Sequence, residues 1–164
     1  MEKPEPPMDQ DAAMDRAFAE AEAAAARGEV PVGAVVVEVG TGAILAAAGN
    51  RTEADRDPSA HAEVLAIRRA CAARGEPRLP DCDLYVTLEP CAMCAGAISF
   101  ARIRRLVFAA YDPKGGGVEH GARFFERATC HHAPEVVGGV RERRAADLLK
   151  HFFAARRDPH RDAE

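Results

Sequence analysis

Asp57-Pro58-Ser59-Ala60-His61-Ala62-Glu63 opens the segment that decides this fold, and Thr87-Leu88-Glu89-Pro90-Cys91-Ala92-Met93-Cys94 closes it. Asp57 is a good N-cap and Pro58 suits a first helical position, so the spacing predicts a helix carrying His61 and Glu63 in its opening turns. That helix continues through Val64-Leu65-Ala66-Ile67 to about Ala73, and Gly75 and Pro77 stop it. Asp83-Leu84-Tyr85-Val86-Thr87-Leu88 alternates and β-branches like a strand, and it delivers the chain directly to Cys91 and Cys94. Strand, loop and helix N-terminus are therefore expected to meet at one place.

That place carries metal-ligating side chains. Cys91 and Cys94 are three apart and share one face of a helix, whose positive end favours thiolates. His61 offers an imidazole. A His/Cys/Cys set leaves the fourth position of a tetrahedral zinc open for water, which distinguishes a catalytic site from a closed structural one. Zinc lowers the pKa of that water towards neutrality. Glu63, two residues after His61, is placed to take the proton and hand it to a leaving group, because an apolar, metal-proximal pocket can tune a carboxylate in either direction. Two other readings of Cys-x-x-Cys stand beside this one: a redox pair, and half of a structural site completed by Cys82 or Cys71. Neither accounts for a His-x-Glu behind a proline-initiated helix. Side chains two apart on an ideal helix diverge by about 200°, so His61 and Glu63 can share a site only near that helix's beginning.

Working outward, residues 1–8 are Pro-rich and polar and read as a disordered tail. Residues 9–27 place Met14, Phe18, Ala21 and Ala25 at helical spacing and end at Gly28. Val30-Pro31-Val32-Gly33-Ala34-Val35-Val36-Val37 turns at Gly40-Thr41-Gly42 into Ala43-Ile44-Leu45-Ala46-Ala47-Ala48, a β-hairpin. Arg68, Arg69 and Arg74 read as a solvated face. After a helix over residues 91–101, residues 105–111 form another strand, followed by Asp112-Pro113-Lys114 and three glycines that mark a loop. A short helix falls near residues 122–127, a last strand over 135–140, and a final helix over 141–157 that buries Ala145, Leu148, Leu149 and Phe152. Residues 158–164 read as a flexible tail. Helices alternate with strands, so the expectation is one α/β domain over residues 9–157: three layers, α/β/α, around a mixed sheet of about five strands.

A chain of 164 residues with 48% apolar content sustains one full core. Net charge is −4, from 22 basic and 26 acidic residues, so any nucleic-acid contact must come from local patches. Five cysteines, an odd number, suit a reducing cytoplasm better than a disulfide framework. No apolar stretch has the length to span a bilayer. A cytoplasmic protein without membrane contact is the expectation.

His61-Ala62-Glu63 with Pro90-Cys91-Ala92-Met93-Cys94 is the known signature of the zinc nucleobase deaminases. The chain resembles the cytidine deaminase-like superfamily on these motifs. It resembles the bacterial tRNA-specific adenosine deaminases on Glu29-Val30-Pro31-Val32-Gly33-Ala34, on Asn50, on residues 87–97, and on Phe152-Phe153 with Arg156-Arg157. The resemblance implies one zinc per subunit, a homodimer, and hydrolytic deamination of the wobble adenosine of a tRNA anticodon stem-loop to inosine and ammonia. It implies that Asn50 bonds the flipped base, that backbone at Ala62 and Pro90 helps hold it, that activated water attacks C6, and that Glu63 moves protons. Asp112 and Lys114 match an Asp-x-Lys loop that meets the anticodon, and Phe152 with Arg156 would cover the extruded nucleotides. Arg102, Arg104 and Arg105 are candidates for a basic rim. After Lys114 this chain departs from better-known members, reading Gly115-Gly116-Gly117-Val118-Glu119-His120, and Cys130-His131-His132 invites a second-metal reading. Two further functions compete: a zinc deaminase of a free base or nucleoside such as guanine, cytosine or cytidine, and a non-catalytic zinc-stabilised RNA-binding subunit. The basic residues argue against the first and Glu63 against the second.

Overall fold

Five short runs rich in small and β-branched residues pair into one mixed sheet of order β2-β1-β3-β4-β5. The strands are β1 (Gly33–Glu38), β2 (Ile44–Gly49), β3 (Cys82–Leu88), β4 (Arg105–Ala110) and β5 (Glu135–Val137). β1 runs antiparallel to β2 and β3, whereas β3, β4 and β5 are parallel. Period two divides each strand between two cores. Val35, Val37, Tyr85, Val107 and Ala109 meet α1 (Gln10–Ala26) and α4 (Glu142–Arg156). Ala34, Val36, Leu84, Val86, Leu106 and Phe108 meet α2 (Ala62–Arg74) and α3 (Ala92–Phe100). This is the expected α/β/α architecture, seen in a computed structural model that describes residues 10–156. The expected tails 1–8 and 158–164, and Arg157, lie outside the described residues.

Several boundaries differ from those the sequence suggests. α2 begins at Ala62, with His61 as an extended N-cap (φ −74°, ψ 149°), not at Pro58. Asp57 caps a turn instead: its Oδ1 accepts from the Ser59 amide at 2.8 Å and the Ser59 hydroxyl at 2.7 Å. Asp-Pro-Ser serves either purpose, and tertiary packing chose the turn. The helix ends as expected, on Gly75 with φ 68°, whose amide bonds the Cys71 carbonyl. Ala24, not Ala25, completes the buried stripe of α1. α4 buries only Ala145; Leu148, Leu149 and Phe152 are half-buried, because the helix meets the sheet near its first turn and then runs out over a groove. β5 stops at Val137, where Gly138 lies beneath the rings of Phe108 and Tyr111 and admits no side chain.

The basic residues are less free than a solvated face implies. Arg74 pairs with Asp81 at 2.5 Å and Glu38 at 2.8 Å, and Arg69 donates to the Ala47 carbonyl at 2.9 Å. Arg104 makes a bidentate pair with Asp83 at 2.7 and 2.9 Å, and Arg105 meets Glu135 at 3.0 Å. Both arginines sit at the start of β4, whose far end meets Glu89. Both are therefore paired with carboxylates, at the end of β4 away from Cys91 and Cys94.

Candidate active site

β1 and β3 stay paired as far as Ala34 and Val86; beyond, the ladder gives way to one bond from the Gly33 amide to the Thr87 hydroxyl at 3.2 Å. The strands part there, and their extensions form the apolar walls of a cavity of about 290 Å³ lined by Val30, Val32 and Leu88. Asn50, His61, Glu63, Glu89, Cys91, Asp112 and Gly115 complete the lining. A volume at the lower end of the ligand-site range suits one planar ring system.

His61 and Cys91 are the N-caps of α2 and α3, so the positive ends of both helices converge here. The His61 Nδ1 lies 3.6 Å from Cys91 Sγ and 3.4 Å from Cys94 Sγ. Tetrahedral zinc with ordinary Zn–N and Zn–S bonds sets that separation at about 3.6 Å. Among the described residues these three make the one group of three or more such side chains whose donor atoms gather, all within 4.8 Å of one another. The start of α2 at Ala62 resolves the orientation problem: His61 is extended backbone, so it and Glu63 turn to the same cavity. Cys82 lies at the opposite end of β3, its Sγ 3.6 Å from the Arg74 guanidinium, so it completes no four-ligand site. Neither does Cys130-His131-His132 assemble a second metal group: the Cys130 thiol donates to the His132 carbonyl at 3.1 Å, and the His132 ring bonds the Ile103 carbonyl at 2.7 Å.

The protonation pattern of the metal-free cluster follows from crowding. Hydrogen bonds from Cys94 and His61 pull the Cys91 thiol down to about 4 against the cost of burial. The same sharing, with burial and the nearby Glu63, pushes Cys94 upward. One sulfur is a thiolate and the other keeps the proton, an arrangement in which a dication can displace that proton. Contact with Cys91 raises His61 despite its burial. Glu63, 4% exposed, has its carboxyl raised by burial, which outweighs its hydrogen bonds and the His61 charge.

The other expected site residues divide. Asn50 Oδ1 accepts the Ala62 amide at 3.2 Å, which leaves its NH₂ end to the cavity. The Pro90 carbonyl accepts the Gly117 amide at 2.8 Å. Asp112 Oδ1 accepts from the Lys114 and Gly115 amides at 3.2 and 2.9 Å, so Asp112 folds its own loop as well as lining the cavity. A groove of about 450 Å³ continues the cavity past Val30, Leu88 and Asp112 to Tyr111, Lys114, Leu149 and Phe153. Phe153, 49% exposed, is its aromatic wall. Phe152, chosen for that part from the sequence, is not: its ring lies under the Arg156 guanidinium, 4.3 Å away, and Arg156 bonds the Gly28 carbonyl. Adjacent helical residues point about 100° apart, so only packing decides which phenylalanine meets the groove. Lys150, beside Phe153 at the groove's mouth, was not singled out by any motif. Nor was Glu89, a buried carboxylate in the cavity wall.

Fold and site together define a hydrolytic deaminase of the cytidine deaminase-like class. The MafB19-like deaminase family matches residues 8–157. The tRNA-specific adenosine deaminase of Agrobacterium fabrum is 56% identical over 144 residues, covering 88% of this chain and 93% of its own. That of Bacillus subtilis is 45% identical over 140 residues, covering 85% and 86%. A solved structure from work on A-to-I editing by tRNA:A34 deaminases superposes with a TM-score of 0.83 at 56% identity, covering 85% of this chain and all of that one. A guanine deaminase from Nitrosomonas europaea superposes at 0.79 with 26% identity, covering 93% and 88%. The chain belongs to the MafB19-like deaminases and, among them, to the tRNA-specific adenosine deaminases. The free-base alternative is correspondingly disfavoured.

Proposed function

We propose that this chain deaminates the wobble adenosine of a tRNA anticodon stem-loop to inosine with release of ammonia, using one zinc ion held by His61, Cys91 and Cys94. The observation that carries this reading is the cavity itself. A Nδ1/Sγ/Sγ triangle of zinc dimensions and a buried carboxylate share a chamber sized for one base, and that chamber opens into a groove with an aromatic wall and two lysines.

Zinc in that triangle supplies Lewis acidity that brings a water's pKa towards neutrality. Glu63 takes one proton of the attacking water and passes it to ring nitrogen N1 as C6 becomes tetrahedral. It then takes the remaining hydroxyl proton and delivers it to the amine, which leaves as ammonia as the C6–N bond breaks and the C6 carbonyl forms. Burial holds its pKa upward, which suits a group that must both accept and return a proton. Asn50 donates its NH₂ to the base, and Val30, Val32 and Leu88 exclude bulk water. Lys114 and Lys150 meet phosphates and Phe153 stacks on a neighbouring base, so local charge overcomes the overall −4.

Met93 (41% exposed) and Phe100 (73% exposed) lie seven residues apart on one face of α3, next to the cysteines. They supply the apolar contact of a homodimer. All five cysteines are free, which suits the reducing cytoplasm where tRNA is modified, and among the described residues no helix is long and apolar enough to cross a membrane.

The test is incubation of zinc-loaded protein with an anticodon stem-loop bearing a wobble adenosine, beside free adenosine, cytidine and guanine. Inosine in the stem-loop alone is expected. Ammonia from a free base with an inert stem-loop would refute the substrate assignment.

A further inference from the structure

Glu89 is 2% exposed and its carboxylate makes contacts that no catalytic step requires. Oε1 accepts from the Asp112 amide at 3.1 Å and meets the His120 Nδ1 at 2.8 Å. Oε2 accepts from the amides of Val118 at 3.3 Å, Glu119 at 3.1 Å and His120 at 3.1 Å. All five donors lie in residues 112–120, the loop whose start forms the cavity wall and carries Lys114. Successive amides turned onto one anion make a nest. The glycines follow from it. A Cβ on Gly116 would run into the Glu89 carboxylate and lie 2.5 Å from the Asp112 carbonyl; one on Gly117 would lie 2.5 Å from the Ala92 amide. The Gly-rich stretch is thus packed onto the start of α3 rather than loose.

Resting on the substrate reading above, we infer that Glu89 is the positioning residue of the substrate loop. One covalent step from Pro90 and two from Cys91, it fixes Asp112, Lys114 and Gly115 against the metal ligands. His120, its one side-chain partner among the described residues, latches it from the outer side of the loop, its side chain 35% exposed. The role is orientation. Although Glu89 lines part of the cavity, both its carboxylate oxygens are taken up by these five donors, so its charge is neutralised rather than offered to substrate.

Glu89→Gln keeps the shape but turns an NH₂ group onto amide donors, so part of the nest must open. Expected in the zinc-loaded variant is a KM for the stem-loop raised about tenfold or more, with kcat within about threefold and zinc still at one per chain. Amide exchange should accelerate at Asp112 and residues 118–120 and stay unchanged in α2. His120→Phe, which removes only the latch, should raise KM by a smaller factor, and His120→Asn, which can restore a donor at the Nδ1 position, should return it to wild type. Unchanged KM and exchange in Glu89→Gln, or zinc loss in step with activity, would overturn the assignment. Should the wild-type protein leave the stem-loop unedited, the substrate reading fails by itself. The exchange measurement then decides Glu89, with retained protection overturning its role and lost protection supporting it.

Discussion

Replacing Asn50 separates two tasks that one side chain performs. Its Oδ1 accepts the Ala62 amide at 3.2 Å, and the His61 side chain makes no capping bond, so Asn50 satisfies an orphan donor at the start of α2 from outside the helix. Removing an N-terminal cap costs about 1 kcal/mol. In a domain of this size that lowers Tm by about 2–4 °C, the fall expected of Asn50→Ala. Asn50→Asp keeps an acceptor, placed at the helix's positive end, and should melt close to wild type. It nevertheless converts the NH₂ end that faces the cavity into an oxygen. A base acceptor left without its donor in a buried site loses about 1–3 kcal/mol, or roughly 10- to 100-fold in kcat/KM. Inosine formation in a stem-loop and thermal melts of both zinc-loaded variants distinguish the tasks. Wild-type kcat/KM in Asn50→Asp would refute the base contact, and an undiminished Tm in Asn50→Ala would refute the cap.

Glu63→Gln should cut inosine formation by about 10²- to 10⁴-fold while zinc, measured by elemental analysis, stays bound; retained turnover would contradict the proton shuttle. In zinc-stripped protein Cys91, pulled down to about 4, is already thiolate at pH 6, so its alkylation rate should be flat from pH 6 to 8. An ordinary thiol would quicken by roughly 100-fold over that interval. Cys82, pushed up to about 12 by burial and Asp81, should stay unlabelled, and zinc should protect Cys91. Phe153→Ala should weaken stem-loop binding by about 1–3 kcal/mol without lowering Tm, whereas Phe152→Ala should lower Tm with little effect on binding; equal effects in both assays would sink the assignment of faces. Phe100→Asp should shift the protein from dimer to monomer in sedimentation velocity, and an unaltered dimer would place the interface elsewhere.

The features readable from residue order alone are local in origin. His61-Ala62-Glu63, Pro90-Cys91-Ala92-Met93-Cys94, the β-branched run of β1 and the alternating run of β3 act through spacing, period and donor chemistry over a few residues, so they are legible in one dimension. The start of α2 was not, because Asp57-Pro58-Ser59 favours a turn as readily as a helix cap and Asn50, twelve residues away, captures the Ala62 amide. The choice of Phe153 over Phe152 depends on how α4 lies against α1, with Arg156 reaching Gly28. The pairing of Arg104 with Asp83 exists because β4 lies beside β3. Glu89 stood in plain view next to the cysteines, yet its donors lie 23–31 residues downstream. A buried carboxylate cannot remain without donors, and only the folded chain decides which amides supply them.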